Sequence, residues 1–211
     1  MQKWIRLGSE VYAADRAEDG FIKIAEHIFL GPVAQVEGGV FGGSALRFAG
    51  IEGTAPADNG LTEGWLGFVD GEFPEVKLTT VLQASEGRAR MRHVFSGEGC
   101  LLGGETVTLT ALVLKNVPKL YAFEDGDILP MSAEEGLLPC RTLVAETEDG
   151  AVLISGGDFF AVANDEDGFC LAAGARLDKD VDLAQDGPYS SEWVEIIMGE
   201  SVQSVTAAMA E

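Results

Sequence analysis

Between residues 141 and 174 the chain contains two copies of one pattern, Val-Ala-x-x-Glu-Asp-Gly-x-x-Leu-x-x-Gly, which start 18 residues apart at Val144 and Val162. Each copy places Asp-Gly between two runs of apolar residues. This arrangement predicts a β-hairpin, because a tight primed turn needs positive φ angles, which Gly adopts freely and Asp tolerates. Glu-Asp-Gly also occurs at 18–20 and 124–126. The chain is therefore predicted to consist of short strands joined by acidic turns.

Alternation of apolar and polar residues predicts further strands along the chain. Residues 76–82 and 88–95 alternate with period two, and residues 106–113 are rich in β-branched side chains that suit a pleated sheet. The apolar run over 21–30 is predicted to form a strand that ends at Gly31-Pro32, because proline cannot donate to a β-ladder.

Helical signals are few. Residues 11–17 are ambiguous and could form a helical turn, and Ser132 could cap one turn at 132–135. The helical spacing of Val202, Val205 and Met209 predicts a short amphipathic helix within 201–211. The overall profile predicts an all-β fold, either an antiparallel β-sandwich or a jelly roll or barrel built from short hairpins, with at most one or two short helices.

The length of 211 residues suits one large all-β domain, so residues 1–211 are predicted to form a single domain. Prolines and a shift in charge mark residues 117–139 as a candidate connector. If that connector separates two subdomains, they comprise residues 1–116 and 140–211.

The net charge of −21 is concentrated in the second half of the chain. Residues 120–211 carry 3 Lys/Arg and 20 Asp/Glu, whereas residues 1–119 carry 11 and 15. Such a field repels phosphate backbones and anionic lipids, so we expect no direct binding to nucleic acid or membrane. Solubility is the simplest use of the charge, and attraction to a basic partner is another.

The three cysteines, Cys100, Cys140 and Cys170, are odd in number and widely spaced, which predicts buried free thiols in a reducing compartment. The first residues lack the apolar core of a signal peptide. No apolar run approaches the ~18 residues that a membrane helix needs. We therefore expect cytoplasmic synthesis of a soluble protein, which could also be carried in a virion.

Signatures of nucleophilic or metal-dependent catalysis are missing from the sequence. Only His27 and His93 could act as the usual base; His27 is expected to be structural, and the field of three preceding arginines is expected to lower the pKa of His93. The Gly-rich run at 38–43 lacks the Gly-Lys-Ser/Thr of a phosphate loop and predicts a bulge or a close backbone approach. We predict no enzyme and no cofactor.

No His and Cys spacing suits zinc, so no transition-metal site is predicted. Residues 164–168 and 178–182 offer carboxylate oxygens at alternate positions, as calcium ligands do. Neither segment follows the twelve-residue loop that ends in a bidentate Glu. Binding of calcium by these acidic turns therefore stays open.

One strand concentrates positive charge, since period two places Arg88, Arg90 and Arg92 on the same side. The functional hypothesis is a docking strip for the acidic surface of a protein partner, including the acidic half of another copy. The alternative is pairing within the chain, with its own acidic second half. Exposed ion pairs contribute only about 0–1 kcal/mol each, so the strip would fix orientation more than it adds stability.

Two resemblances bear on function. Residues 38–50, Gly-Gly-Val-Phe-Gly-Gly-Ser-Ala-Leu-Arg-Phe-Ala-Gly, resemble the entry strand of laminin-G-like (concanavalin A-like) jelly rolls, and residues 61–69 resemble the strand that follows it. The whole acidic, Gly- and Ala-rich chain resembles the accessory structural proteins of tailed-phage virions. The second resemblance implies an all-β subunit that decorates a capsid or forms part of a tail or fibre.

The favoured hypothesis is a non-enzymatic structural protein of a larger assembly such as a virion, with copies of itself and other subunits as partners. The alternative is a carbohydrate-binding, lectin-like β-sandwich module, in which Trp65 and Trp193 are stacking platforms for glycan. An enzyme that uses a pair of carboxylates is a third hypothesis, since any such pair is invisible among 35 acidic residues.

Overall fold

A computed structural model describes residues 3–7, 10–16, 22–23, 28–42, 45–57, 61–85, 87–97, 101–103, 107–117, 119–132, 136–164, 168–177 and 179–209. His27, Cys100, the turn at 18–20, most of the turn predicted at 132–135 and the acidic residues 165–167 lie outside these ranges.

Within the described residues, strands follow one another along the chain and a single helix comes last. The first eleven strands are β1 (Lys3–Leu7), β2 (Glu10–Arg16), β3 (Ile22–Lys23), β4 (Ile28–Val36), β5 (Gly39–Phe41), β6 (Leu46–Pro56), β7 (Thr62–Asp70), β8 (Val76–Ser85), β9 (Arg88–Gly97), β10 (Leu101–Leu102) and β11 (Val107–Val117). The remaining elements are β12 (Lys119–Glu124), β13 (Asp127–Met131), β14 (Gly136–Leu138), β15 (Thr142–Thr147), β16 (Gly150–Ser155), β17 (Asp158–Asn164), β18 (Gly168–Arg176), β19 (Val181–Asp182), β20 (Tyr189–Ser190), β21 (Val194–Gly199) and α1 (Val202–Met209).

The strands form two antiparallel sheets, which confirms the all-β, sandwich-type fold predicted from the sequence. The eleven-stranded sheet has the order β1-β2-β3-β4-β11-β18-β17-β14; β5 and β10 also pair with β4, and β19 pairs with β10. The ten-stranded sheet has the order β13-β12-β15-β16-β21-β9-β8-β7-β6, and β20 pairs with β9. Strands from both halves of the chain occur in each sheet.

The main hydrophobic core lies between the two sheets. The largest fully buried side chains include Phe41 of β5, Phe68 of β7, Phe95 of β9 and Phe159 of β17. Phe41 and Phe95 come from different sheets and meet edge to face, with ring centroids 5.8 Å apart. Burying each aromatic ring contributes on the order of 2–3 kcal/mol, so these contacts hold the sheets together.

Helix α1 packs on the outer side of the ten-stranded sheet and builds a second, smaller core. Val202 and Val205 of the helix contact the side chains of Leu153 and Ile197 on β16 and β21. Ser201 and Ser204 exchange hydrogen bonds across the first turn, which caps the helix. The helix predicted from the spacing of Val202, Val205 and Met209 is thus confirmed. No helix among the described residues is long and apolar enough to cross a membrane.

Both tandem hairpins predicted between residues 141 and 174 are present, as β15–β16 and β17–β18. The Asp-Gly turn is correct at 125–126, where Asp125 and Gly126 both have positive φ angles, 51° and 91°, as a primed turn requires. At 149–150 the prediction is wrong in detail. The closing pair is Thr147 and Gly150, so the turn consists of Glu148 and Asp149, and Gly150 is already in the strand.

Two sequence predictions near the N-terminus differ from the structure. A helical turn was an alternative for residues 11–17, but residues 11–16 belong to β2, which pairs with β1 and β3, and Ala17 lies outside the described residues. Gly31-Pro32 does not end a strand, because β4 continues through both residues. The register with β11 shifts here, so that one partner residue faces two residues of β4. This bulge accommodates a proline that cannot donate to the ladder.

The Gly-rich run at 38–43 is a close backbone approach, as predicted. Gly42 has φ +106°, and a Cβ added there would collide with the carbonyl oxygen of Pro32. The buried carboxylate of Asp70 accepts a hydrogen bond from the Gly42 N–H over 2.7 Å and another from the Glu72 N–H. The glycines therefore serve the packing of β5 against the end of β7.

Candidate functional site

Strand β9 separates its side chains cleanly between the two sides of the ten-stranded sheet. Ala89, Met91 and His93 are buried in the core, whereas Arg88, Arg90 and Arg92 lie on the outer side and are partly or fully exposed. The period-two prediction for this strand is confirmed. The three arginines share one side because successive residues of a strand point to opposite faces.

Cross-strand pairing places polar side chains beside Arg90. Gln83 of β8 lies opposite Arg90, and Glu63 of β7 lies opposite Gln83. The Arg90 Nε–H donates to Gln83 Oε1 over 2.6 Å, and the Gln83 amide donates to a carboxylate oxygen of Glu63. These bonds hold the Arg90 guanidinium in one orientation, because directly opposite residues in an antiparallel pair are close enough to interact.

The guanidinium groups of Arg90 and Arg92 both lie over the ring of Trp193. Their Cζ atoms are 4.5 Å and 4.8 Å from the ring centroid. Trp193 is half-buried and precedes β21, which pairs with β9. Stacking of guanidinium on indole is favourable both electrostatically and through flat contact, so the ring restricts the motion of both arginines.

Arg88 is the arginine that pairs with the acidic second half of the chain. Its Nη2 lies 3.8 Å from Oε2 of Glu195, and both side chains are well exposed to solvent. A pocket of about 240 Å³ opens beside this pair, and its lining includes Leu61 and Arg90. Among the described residues, pairing with the acidic second half of the chain, the alternative considered above, is thus seen for Arg88.

Trp65 lies on the same outer side. In the register of β7, β8 and β9 it is opposite Val81, and Val81 is opposite Arg92. Val81 is buried although it is not part of either core cluster, so it packs beneath its outer-side neighbours. The outer-side residues Glu63, Trp65, Gln83, Arg88, Arg90, Arg92, Trp193 and Glu195 are called the Trp–Arg face below.

His93 points away from this face into the core. Its Nδ1 and the Thr80 hydroxyl are 2.8 Å apart, and its Nε2 is buried without a hydrogen-bond partner in the described structure. Burial lowers the pKa of His93 from 6.5 to about 3. The predicted direction is right, but the predicted cause, the field of the arginines, is wrong because the core excludes the ring from water.

A second cavity of about 410 Å³ lies between the β15–β16 turn and the start of α1. Glu146 lies in its wall and accepts hydrogen bonds of 3.0 Å from Lys119 Nζ and from the Tyr121 hydroxyl. These bonds lower the pKa of Glu146 and raise the pKa of Lys119. The Glu146 carboxylate already accepts hydrogen bonds from two side chains of the same sheet, so a structural role accounts for this residue.

The segments considered for metal binding are described only in part, since residues 165–167 and Asp178 lie outside the described ranges. Asp182 uses Oδ1 to accept hydrogen bonds from the backbone N–H groups of Ala184 and Gln185, so it shapes a loop. The chain segments that the structure describes contain no group of three or more His, Cys, Asp or Glu placed to hold a metal. Cys140 is a buried free thiol, and burial raises its pKa to about 11.

Comparison with known proteins gave matches only among solved structures, since no family model and no curated protein matches the chain. The GH36 α-galactosidase from Geobacillus stearothermophilus matches with a TM-score of 0.61 at 12% identity, over 95% of this chain and 41% of the other. A β-arabinopyranosidase matches with a TM-score of 0.56 at 11% identity, over 90% and 38%. An α-galactosidase from Lactobacillus brevis matches with a TM-score of 0.53 at 10% identity, over 90% and 30%.

The chain therefore shares its fold with a part of several glycosidases and spans less than half the length of each. At these identities the likeness concerns the fold and transfers no residue. It lends no support to the predicted virion role or to the laminin-G-like resemblance, which stay predictions, as does a docking role for Arg88, Arg90 and Arg92.

The sequence predicted part of the Trp–Arg face. Its period-two pattern grouped the three arginines, and Trp65 and Trp193 were expected to be stacking platforms, but the contact between the arginines and Trp193 was not predicted. Gln83 and Glu63 were missed entirely. The register of β7, β8 and β9 places Glu63 opposite Gln83 and Gln83 opposite Arg90. This proximity cannot be recognised until the pairing of the three strands is known.

Proposed function

We propose that this chain is a non-catalytic β-sandwich module that binds carbohydrate through the Trp–Arg face. The observation that carries the proposal is the stacking of Arg90 and Arg92 on Trp193, beside the hydrogen-bonded pair of Gln83 and Glu63. The face adjoins the part of the sheet on which α1 packs, because Glu195 and Ile197 are two residues apart on β21, and most of its side chains are partly exposed.

The chemistry of the face suits a sugar. A pyranose presents apolar C–H patches to aromatic rings and offers hydroxyl groups that both donate and accept hydrogen bonds. Arg90 supplies donors in a fixed plane, and Glu63 supplies acceptors. Because side chains of the same face already fix Arg90, less conformational entropy is lost when a ligand binds. The pocket of about 240 Å³ beside Arg88 and Arg90 offers room for one sugar ring.

The fold adds a second line of support. Several of the matched structures are α-galactosidases, and a variant of the Geobacillus stearothermophilus enzyme was solved in complex with raffinose. The present chain corresponds to less than half the length of that enzyme. Fold alone does not define function, so the residues of the Trp–Arg face carry the proposal.

The test is binding of the full chain to an array of immobilised neutral and acidic oligosaccharides, followed by titration calorimetry on the glycans that bind. Trp193→Ala removes the surface on which both arginines stack, so we expect binding to weaken roughly tenfold or more, the usual effect of losing a central aromatic contact. Tyr121→Ala is the matched control, because Tyr121 is a partly exposed aromatic residue on the same sheet beside α1.

The control variant is expected to bind as the wild type does. Two results would contradict the proposal: an array on which no saccharide is bound, or glycan affinity that Trp193→Ala leaves unchanged while the protein stays folded by circular dichroism.

A further inference from the structure

Arg92 differs from the other two arginines of the Trp–Arg face in its polar contacts. Arg88 pairs with Glu195, and Arg90 donates to Gln83. The described residues give the Arg92 guanidinium no hydrogen bond, and its Nε is buried without an acceptor. Buried donors without acceptors are uncommon in folded proteins because nothing replaces the water that they lose.

Trp193 holds this group in place. The Cζ atom of Arg92 is 4.8 Å from the ring centroid, and the side chain is partly exposed. The cation–π contact with the indole holds the guanidinium without using its N–H donors in hydrogen bonds. The partly exposed end of the side chain is therefore positioned before a ligand binds, while the buried Nε lacks an acceptor.

A carboxylate is the acceptor that best matches such a group. Two parallel N–H donors of a guanidinium fit the two oxygens of a carboxylate, and the charges make this pair stronger than a bond to a neutral hydroxyl. The Trp–Arg face carries the three arginines of β9 against two glutamates, Glu63 and Glu195, so the local balance of charge favours an anion.

Resting on the proposed carbohydrate-binding function, we propose that the Trp–Arg face binds an acidic saccharide and that Arg92 holds the carboxylate of a uronate residue. The remaining charge of the chain, although strongly negative, does not prevent this. At physiological ionic strength exposed charges are screened beyond about 8 Å, so a carboxylate in contact with Arg92 senses mainly its immediate neighbours.

The experiment compares two probes that differ only at C6 of each ring, which is a hydroxymethyl group in one and a carboxylate in the other. α-1,4-Linked galactotriose and α-1,4-linked trigalacturonate have the same ring stereochemistry, but only the second carries carboxylates. Titration calorimetry with the full chain is expected to show tighter binding of trigalacturonate. Arg92→Gln is expected to weaken the binding of trigalacturonate roughly tenfold or more and the binding of galactotriose by a smaller factor, so that the preference for trigalacturonate is reduced or lost.

Two further variants test whether the effect depends on the planar guanidinium of Arg92 or only on the loss of a positive charge. Arg92→Lys keeps the charge and loses the planar fork, so it is expected to bind trigalacturonate with an affinity between those of the wild type and Arg92→Gln. Lys179→Gln removes one positive charge from an exposed position just before β19, a strand of the other sheet, and is expected to change nothing.

The outcomes separate this inference from the function on which it rests. Galactotriose bound as well as trigalacturonate, or trigalacturonate binding unchanged in Arg92→Gln, overturns the role of Arg92 while the carbohydrate-binding function stands. Binding of sulfated oligosaccharides with none of trigalacturonate also overturns the uronate assignment. Binding of no saccharide at all overturns both.

Discussion

Arg88, Arg90 and Arg92 carry the same charge on the same side of β9, yet their side chains do different things. The exposed pair of Arg88 with Glu195 contributes about 0–1 kcal/mol to the stability of the fold. Arg90 is fixed by Gln83 and Trp193 together. Arg92 lies over Trp193, and its buried Nε has no acceptor among the described residues. The type of residue was evident from the sequence, but its contacts were not.

At the residue scale, His93 makes the fold sensitive to acid. Its pKa of about 3 in the folded protein lies below the value of 6.5 for an unhindered histidine. Between pH 3 and pH 6.5, His93 is protonated in the unfolded chain but not in the folded protein. The free energy of unfolding therefore has its full value above pH 6.5, as far as His93 is concerned, and decreases as the pH falls towards 3. Urea unfolding at pH 7 and pH 5 is expected to show a loss of about 2 kcal/mol from this residue.

His93→Gln identifies the source of that loss. Glutamine keeps a polar group near Thr80 but does not titrate, so the variant is expected to lose about 2 kcal/mol less than the wild type between the two pH values. An equal loss in the two proteins would show that other groups cause the acid sensitivity.

At the scale of the element, the hairpins were predictable because their information is local. Asp-Gly between two apolar runs predicted each strand pair, and the turn at 125–126 has the expected positive φ angles. The glycine of 149–150 has a different role. A Cβ on Gly150 would collide with the carbonyl oxygen of Gly199 on the neighbouring strand β21. The sequence could not predict this contact, because β16 and β21 are far apart along the chain.

Two alanine substitutions separate these roles of glycine. Gly126→Ala meets open space and suffers only from the positive φ angle, so we expect a loss of about 1 kcal/mol in the free energy of unfolding. Gly150→Ala has a positive φ angle and a collision with backbone, so we expect a loss of about 3 kcal/mol or more. Urea denaturation measures both values, and similar losses would show that β21 can move away at little cost.

At the scale of the whole molecule, the sequence predicted the fold class but not the order of the strands. Periodicity and turn residues act within a few positions, whereas the ten-stranded sheet pairs β16 with β21 and β21 with β9. The Trp–Arg face depends on that pairing, since it brings Trp193 onto an arginine strand about a hundred residues earlier in the chain. For this reason the sequence could indicate individual residues of the face, but it could not predict that they form one surface.

The net charge of −21 predicts how the molecule responds to salt. Like charges repel one another more strongly in the compact state than in the extended chain, so screening is expected to stabilise the fold. Raising NaCl from 0.01 to 0.1 M shortens the screening length from about 30 to about 10 Å. A gain of 1 kcal/mol would raise Tm by about 2–4 °C in a chain of this size.

Thermal unfolding followed by circular dichroism at the two concentrations tests the effect of charge. KCl serves as the control, because general screening does not distinguish sodium from potassium. A Tm that falls with added salt would mean that favourable ion pairs outweigh the repulsion.

Strand β13 is the outermost strand at one end of the ten-stranded sheet, and it leaves Leu129 about half exposed. An open edge of this kind is where strands of other molecules add and where fibrils begin. Pro130 interrupts the edge, because it has no N–H to give to an incoming strand, and Asp127 places a negative charge near its start. The proline thus acts against amyloid-like polymerisation when the protein is crowded.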